Sequence, residues 1–154
     1  MSNKHSEILF RVASETLETL AFLFSMPSDG EMLSADSGPA ASISFSGSPT
    51  GRIILLISEN TLVQIAANML GVDEDEEIAV VKQHDALKEF LNVLCGNLLP
   101  ELADEKETIS IGIPEMLSND ELDRWLKEKS VDSKTTLCLD EGQADLYLFI
   151  EGNY

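Results

Sequence analysis

Positive charge is scarce in this chain. Ten Lys and Arg stand against 28 Asp and Glu among 154 residues, a formal net charge of −18. That balance argues against a nucleic-acid partner held by phosphate neutralisation, and against an anionic membrane surface by the same sign. No apolar run approaches the ~20 residues that span a bilayer. The first residues, Met1-Ser2-Asn3-Lys4-His5-Ser6-Glu7, carry no signal-peptide pattern, so a cytoplasmic protein is expected. Cysteine is limited to Cys95 and Cys138, 43 positions apart in apolar segments. They read as buried thiols of a reducing compartment, not as a disulfide frame or a metal site. Enzyme signatures are missing too: there is no Gly-x-Ser-x-Gly, Walker loop, His-Glu-x-x-His or Cys-x-x-Cys. Of the two histidines, His5 falls in a terminus expected to fray. His84 opens a helix near its apolar edge, a packing or capping position. The acidic run Asp73–Glu77 has no glycine at the sixth position and no closing glutamate at the twelfth, so it is not an EF-hand loop. It reads as a solvated loop ahead of a helix N-terminus.

What is present is core-forming material: 44% of residues are apolar, with leucine and isoleucine dominating and aromatics at only 6%. The length is that of one domain, residues 1–154. Residues 6–26 have the period of an amphipathic helix, with Leu9, Val12, Ala13, Leu17, Leu20, Ala21 and Phe24 on one side; Pro27 and Ser28-Asp29-Gly30 stop it. A Gly/Ser/Pro-rich loop is expected up to about residue 39. Ser42–Ser46 alternates, which sets Ile43 and Phe45 toward a core and the serines toward water. The turn residues 47–51 join this strand to the apolar strand Ile53–Ile57 as a hairpin. A short helix follows to Leu70, capped by Ser58 or Asn60 and closed by Gly71. A second long helix spans Val80–Leu102, disturbed near Pro100. Residues 108–113 then alternate as a strand ending at Pro114, with Ile109, Ile111 and Ile113 on one side. A helix over Asp120–Lys129 and strands over 135–139 and 145–150 complete the pattern, with Met116, Leu117 and Trp125 closing the core beneath that helix. The fold class is α+β: two long helices on an antiparallel sheet of five or six strands. A faint internal repeat relates Ser14-x3-Glu18-x2-Ala21 to Asp85-x3-Glu89-x2-Asn92.

The helix over 80–102 carries the functional information. With Asp85 at zero and about 100° per residue, Glu89 falls near 40°, Asn92 near 340° and Gly96 near 20°, whereas Leu87, Phe90, Leu91, Leu94, Leu98 and Leu102 fall between about 140° and 260°. A carboxylate, a carboxamide and a side-chain-free notch therefore lie opposite the apolar stripe. A solvated face would have the same polarity. However, Asn92, Gly96 and Asn97 are poor helix formers, costing together roughly 2 kcal/mol against alanine. Such a local violation marks a functional surface, with Asn97, near 120°, explicable by packing.

These residues carry a resemblance. Glu89-Phe90-Leu91-Asn92-Val93-Leu94-Cys95-Gly96-Asn97 resembles the Glu-x-x-Asn-x-x-x-Gly-Asn helix of the CheC/CheX/FliY phosphatases, which act on the phosphorylated chemotaxis response regulator CheY. Asp85 matches the Asp-or-Ser that the family places four residues before the Glu. Pro114 resembles the downstream proline, with 21 residues separating it from Asn92, one fewer than the family pattern. CheC carries two such helices and CheX only the later one. Here Ala21 stands where the first helix would need Asn, so the first site (Ser14, Glu18, Ala21) looks inactive and the chain is closer to CheX.

The resemblance implies a division of labour. The receiver supplies Mg²⁺ and a lysine to stabilise the transferring phosphoryl group, so this chain needs no cofactor or metal of its own. Asn92 then holds the hydrolytic water in line, since a carboxamide offers a donor and an acceptor on a short stem. Glu89 pairs with the receiver's lysine, Asp85 shapes the surface, and Gly96 admits the receiver backbone. The alternative is a non-catalytic adapter of the same fold, as in flagellar-switch relatives; Asn92 beside Glu89 separates the two, since an adapter has no use for the pair. A homodimer formed through strands or through the segment 114–129 is also expected.

Overall fold

The computed structural model describes residues 3–27, 38–73, 77–103, 108–140 and 142–151. Alternation in residues 40–57 builds the central hairpin: β2 (Ala40–Ser46) and β3 (Gly51–Ile57) pair antiparallel with Ile43 opposite Ile53. The hairpin β6 (Ser133–Leu139) and β7 (Gly142–Ile150) docks along β3, setting Leu148 opposite Ile53 and Leu146 opposite Leu55. Two very short strands, β1 (Met26–Pro27) and β4 (Ser110–Ile111), close the two edges. β5 (Glu115–Leu117) also pairs with β2. All pairings are antiparallel, in the order β1-β6-β7-β3-β2-β4.

Three helices cover one face. These are α1 (Asn3–Ala21), α2 (Glu59–Leu70) and α3 (Val80–Leu102), whose Leu9, Leu17, Leu62, Leu87, Phe90, Leu91 and Leu94 pack onto Ile43, Ile53, Leu55, Leu146 and Leu148. α1 and α3 run antiparallel, because Asn97 reaches Thr16 (Nδ2 to Oγ1, 3.3 Å) while Glu101 reaches Arg11. Gly71 ends α2 with the left-handed φ of 72° that glycine takes without strain. The opposite face carries α4 (Asn119–Glu128), which buries Leu122 and Trp125 against Ile54, Leu56, Tyr147 and Phe149. Its capping box is complete: Ser118 Oγ accepts from the Glu121 N–H, and the Glu121 carboxylate accepts from the Ser118 N–H.

Several expectations are corrected. The first helix stops at Ala21, five residues before Met26, because Phe22 adopts a positive φ of 56°. The chain then turns to the sheet edge, where Met26 pairs with Cys138 and Phe24 is exposed, not in the apolar stripe. Ser42 is fully buried under the α4 face, where it accepts from Arg52 Nη1 at 2.8 Å. The strand over 108–113 is interrupted: β4 spans two residues, and Ile111 and Ile113 are exposed at the sheet edge, with only Ile109 packed on the core. Met116 packs on the three-helix side, whereas Leu117 packs on the opposite side in the cluster that holds Trp125 of α4, as alternation along β5 requires. His5 does not fray: its Nδ1 lies 2.7 Å from the Asp132 carboxylate, tying α1 to the segment before β6. Cys95 is buried and Cys138 half-buried; neither is in a disulfide. The expected loop over 28–39 falls mostly outside the described residues, as do Glu74, Asp75 and Glu76 of the acidic run.

Candidate functional site

The site is built on one face of α3. Leu87, Phe90, Leu91, Leu94 and Leu98 are buried against the sheet and α1, which fixes the helix's rotation. That rotation leaves Asp85, Glu89, Asn92 and Gly96 exposed on successive turns of the opposite side. Asp85 is partnered on its own helix by Lys88, Nζ to Oδ1 3.6 Å. Behind the stripe, burial pushes the Cys95 thiol up to about 12, so it stays protonated and inert.

Gly96 is the informative member. A Cβ built at this position meets no atom within 4 Å. Among the described residues no packing contact requires glycine there, although it destabilises a helix interior by about 1 kcal/mol relative to alanine. Asn97 is different: it sits toward α1 and bonds Thr16, whose hydroxyl in turn donates to the Val12 carbonyl at 2.8 Å, so packing within the chain accounts for it.

Pro114 is not on this helix. It lies half-buried between β4 and β5, at the edge of the sheet beside β2, the strand on which α3 packs, and β5 touches α3. The structure therefore gathers Asp85, Glu89, Asn92 and Gly96 on one helix face, with Pro114 on a separate segment at the neighbouring sheet edge. The corresponding positions on α1 are dismantled. Glu18 is exposed, but Ala21 is fully buried at the helix end and its carbonyl accepts from Asn68 Nδ2 at 2.6 Å. Ser14 Oγ is bound to Ser25 Oγ at 2.8 Å.

Other concave surfaces lie elsewhere. Cavities of about 250 and 340 Å³ meet at Trp125 on the α4 side and include no residue of the α3 stripe. Among the described residues no three His, Cys, Asp or Glu side chains gather as a metal would need, and no helix is long and apolar enough to cross a membrane. The residue that sequence reasoning missed is Val81, 71% exposed and four positions before Asp85. The same helical wheel, extended one turn back, puts it on the stripe near 320°.

An exposed carboxylate, an exposed carboxamide one turn on and a bare notch after it can engage an incoming surface and hold a water, but enclose no substrate. The family described as "Chemotaxis phosphatase CheX" matches residues 39–134. No curated protein matches the chain. Among solved structures, the chemotaxis protein CheX from Vibrio vulnificus is 18% identical with a TM-score of 0.72, over 96% of this chain and 97% of that one. A CheC-like superfamily protein from Shewanella sp. PV-4 is 18% identical with a TM-score of 0.74, over 99% and 100%. The CheX-CheY-BeF3-Mg+2 complex from Borrelia burgdorferi is similar to this chain at 15% identity and a TM-score of 0.70, over 96% and 97%. At these identities the structural likeness establishes the fold.

Proposed function

The chain belongs to the CheX chemotaxis phosphatase family, and from that premise we propose that it hydrolyses the aspartyl phosphate of a CheY-type response regulator in the cytoplasm. The observation that carries the reading is the exposed row Asp85, Glu89, Asn92 and Gly96, with a glycine that no intrachain contact explains. A solved relative in complex with CheY, BeF3 and Mg supports the choice of partner.

In this mechanism α3 docks on the receiver's phosphorylated site. The Asn92 carboxamide accepts from and donates to one water, aligning its oxygen with phosphorus opposite the scissile P–O bond. The water adds to phosphorus as the bond to the aspartyl oxygen breaks, which yields a free carboxylate and hydrogen phosphate, one of the water's protons staying on the phosphate and the other passing to solvent. The receiver's own Mg²⁺ and lysine stabilise the charge on the transferring group. Glu89 pairs with that lysine and sets the register, Asp85 and Pro114 contribute contact surface, and Gly96 lets the receiver backbone approach. The remaining catalytic demand on this chain is orientation of one nucleophile, which a single carboxamide meets.

The test is decay of a phosphorylated cognate receiver. Asn92→Ala should abolish the acceleration while binding to the receiver persists, as expected when an interaction is used in the transition state. Glu89→Ala should weaken both. If Asn92→Ala retains the wild-type rate, the water-positioning role is wrong. If the wild type binds receivers but accelerates none, the protein is an adapter.

A further inference from the structure

Among the described residues, exposed large apolar side chains fall in three places. Phe24 and Met26 lie toward the β1 edge of the sheet, Ile111 and Ile113 at the β4 edge, and Phe22, Leu70, Val80 and Val81 at one end of the helical layer. The last group comes from three separate segments that converge. Asn68 on α2 binds the carbonyl of Ala21 at the end of α1. Ala66 and Ala67 of α2 pack with Ile78 and Ala86 at the start of α3. α2 thus bridges the end of α1 and the beginning of α3, packing on the latter beside the turn that bears Asp85.

This end of the layer is poorly optimised for stability. The N-cap of α3 is Ala79, with no side-chain cap hydrogen bond, and the first turn has no acidic residue in a chain with 28 of them. Two exposed β-branched valines occupy its first positions. Phe22 holds a left-handed φ of 56° with 70% of its surface exposed.

We propose that Val81 is the apolar anchor that seats the receiver domain against α3; the inference rests on the phosphatase reading above. Three arguments select this occupant. Val81 is eight residues from Glu89 and eleven from Asn92, about 12 and 16 Å along the helix. An interface of standard size, ~800 Å² per partner, is a disc of about 16 Å radius. A receiver centred on Glu89 and Asn92 therefore covers Val81. Charge supplies the third argument: this chain carries −18, and a receiver's phosphorylation site is itself acidic, so long-range electrostatics oppose the encounter. Short-range apolar burial remains to hold the complex.

The experiment compares Val81→Ser, Val81→Leu and Asn92→Ala in receiver dephosphorylation, with affinity for a beryllofluoride-loaded receiver measured in parallel. Val81 is exposed, so neither valine substitution opens a cavity, and both leave net charge unchanged. Val81→Ser should raise KM and weaken the beryllofluoride complex roughly tenfold with kcat nearly unchanged. Val81→Leu should bind as wild type or better. Wild-type KM in Val81→Ser, while Asn92→Ala has lost its rate, overturns the anchor and leaves the phosphatase reading standing. Equal losses in Val81→Ser and Val81→Leu also overturn it, because apolarity would then not be what matters. If the wild type neither binds nor accelerates any receiver, both proposals fall.

Discussion

At the scale of single residues, glycine at position 96 separates what the chain needs in order to fold from what it needs in order to work. Its Cβ position is open, so Gly96→Ala meets no obstacle and removes the conformational freedom glycine brings to the unfolded chain. We expect the variant to be more stable by about 0.5–1 kcal/mol in denaturant or thermal unfolding. We also expect slower dephosphorylation, because the methyl group would stand where the receiver backbone approaches. A variant that is both more stable and fully active would remove Gly96 from the contact surface. Asn97 shows the opposite case. It looked equally anomalous on the helical wheel, yet its bond to Thr16 makes it a packing residue between α1 and α3.

At the scale of elements, the strand order has an internal symmetry. Exchanging β2 with β6, β3 with β7 and β1 with β4 returns the same sequence of neighbours, β1-β6-β7-β3-β2-β4 read from its other end. The same exchange relates α1 to α3, in keeping with the faint motif repeat. Of the two helices, α3 alone exposes the whole row: Asp85, Glu89 and Asn92 are all exposed. At Ala21 the equivalent position is buried and its carbonyl is engaged by Asn68, so restoring an asparagine there would not restore a surface site. The other element with a clear local logic is α4, which depends on its cap. Ser118→Ala should cost about 1 kcal/mol and loosen the cover over Phe149. The hydrogen bonds from Ser118 hold the Glu121 carboxyl below its ordinary value. Its contribution is therefore present above the unfolded carboxyl's pKa and fades as pH falls through the lower folded one. Acid titration of stability should show a shallower decline in Glu121→Gln, which cannot ionise, than in the wild type; identical profiles would mean that the Glu121 charge contributes nothing.

At the scale of the molecule, charge sets how partners meet. With −18 on this chain, docking on an acidic receiver should improve as salt screens the repulsion, so KM should fall as ionic strength rises toward physiological values. A KM that climbs steeply with salt would mean that attractive ion pairs dominate. We also expect a homodimer joined away from the α3 face, with the exposed Ile111 and Ile113 of the β4 edge the apolar surface available for it. Light scattering at micromolar concentration should give twice the chain mass of 16.9 kDa; a monomer mass ends that expectation. The α3 stripe was legible in the sequence because it depends on one helix: 3.6-residue periodicity alone decides which side chains share a face, and the bounds Val80–Leu102 follow from that period. The α+β class and the antiparallel hairpins followed from alternation in the same way. What local pattern does not contain is which face another segment will cover. Only tertiary structure decided that α4 buries Ser42 and that the first helix stops at Phe22 to send Met26 to an edge. It likewise left Ile111 and Ile113 outside the core. The docking of the end of α1 on α2 through Ala21 and Asn68 belongs to the same category. It joins helix ends brought together by long-range packing, whereas periodicity reports only on neighbours within a few turns.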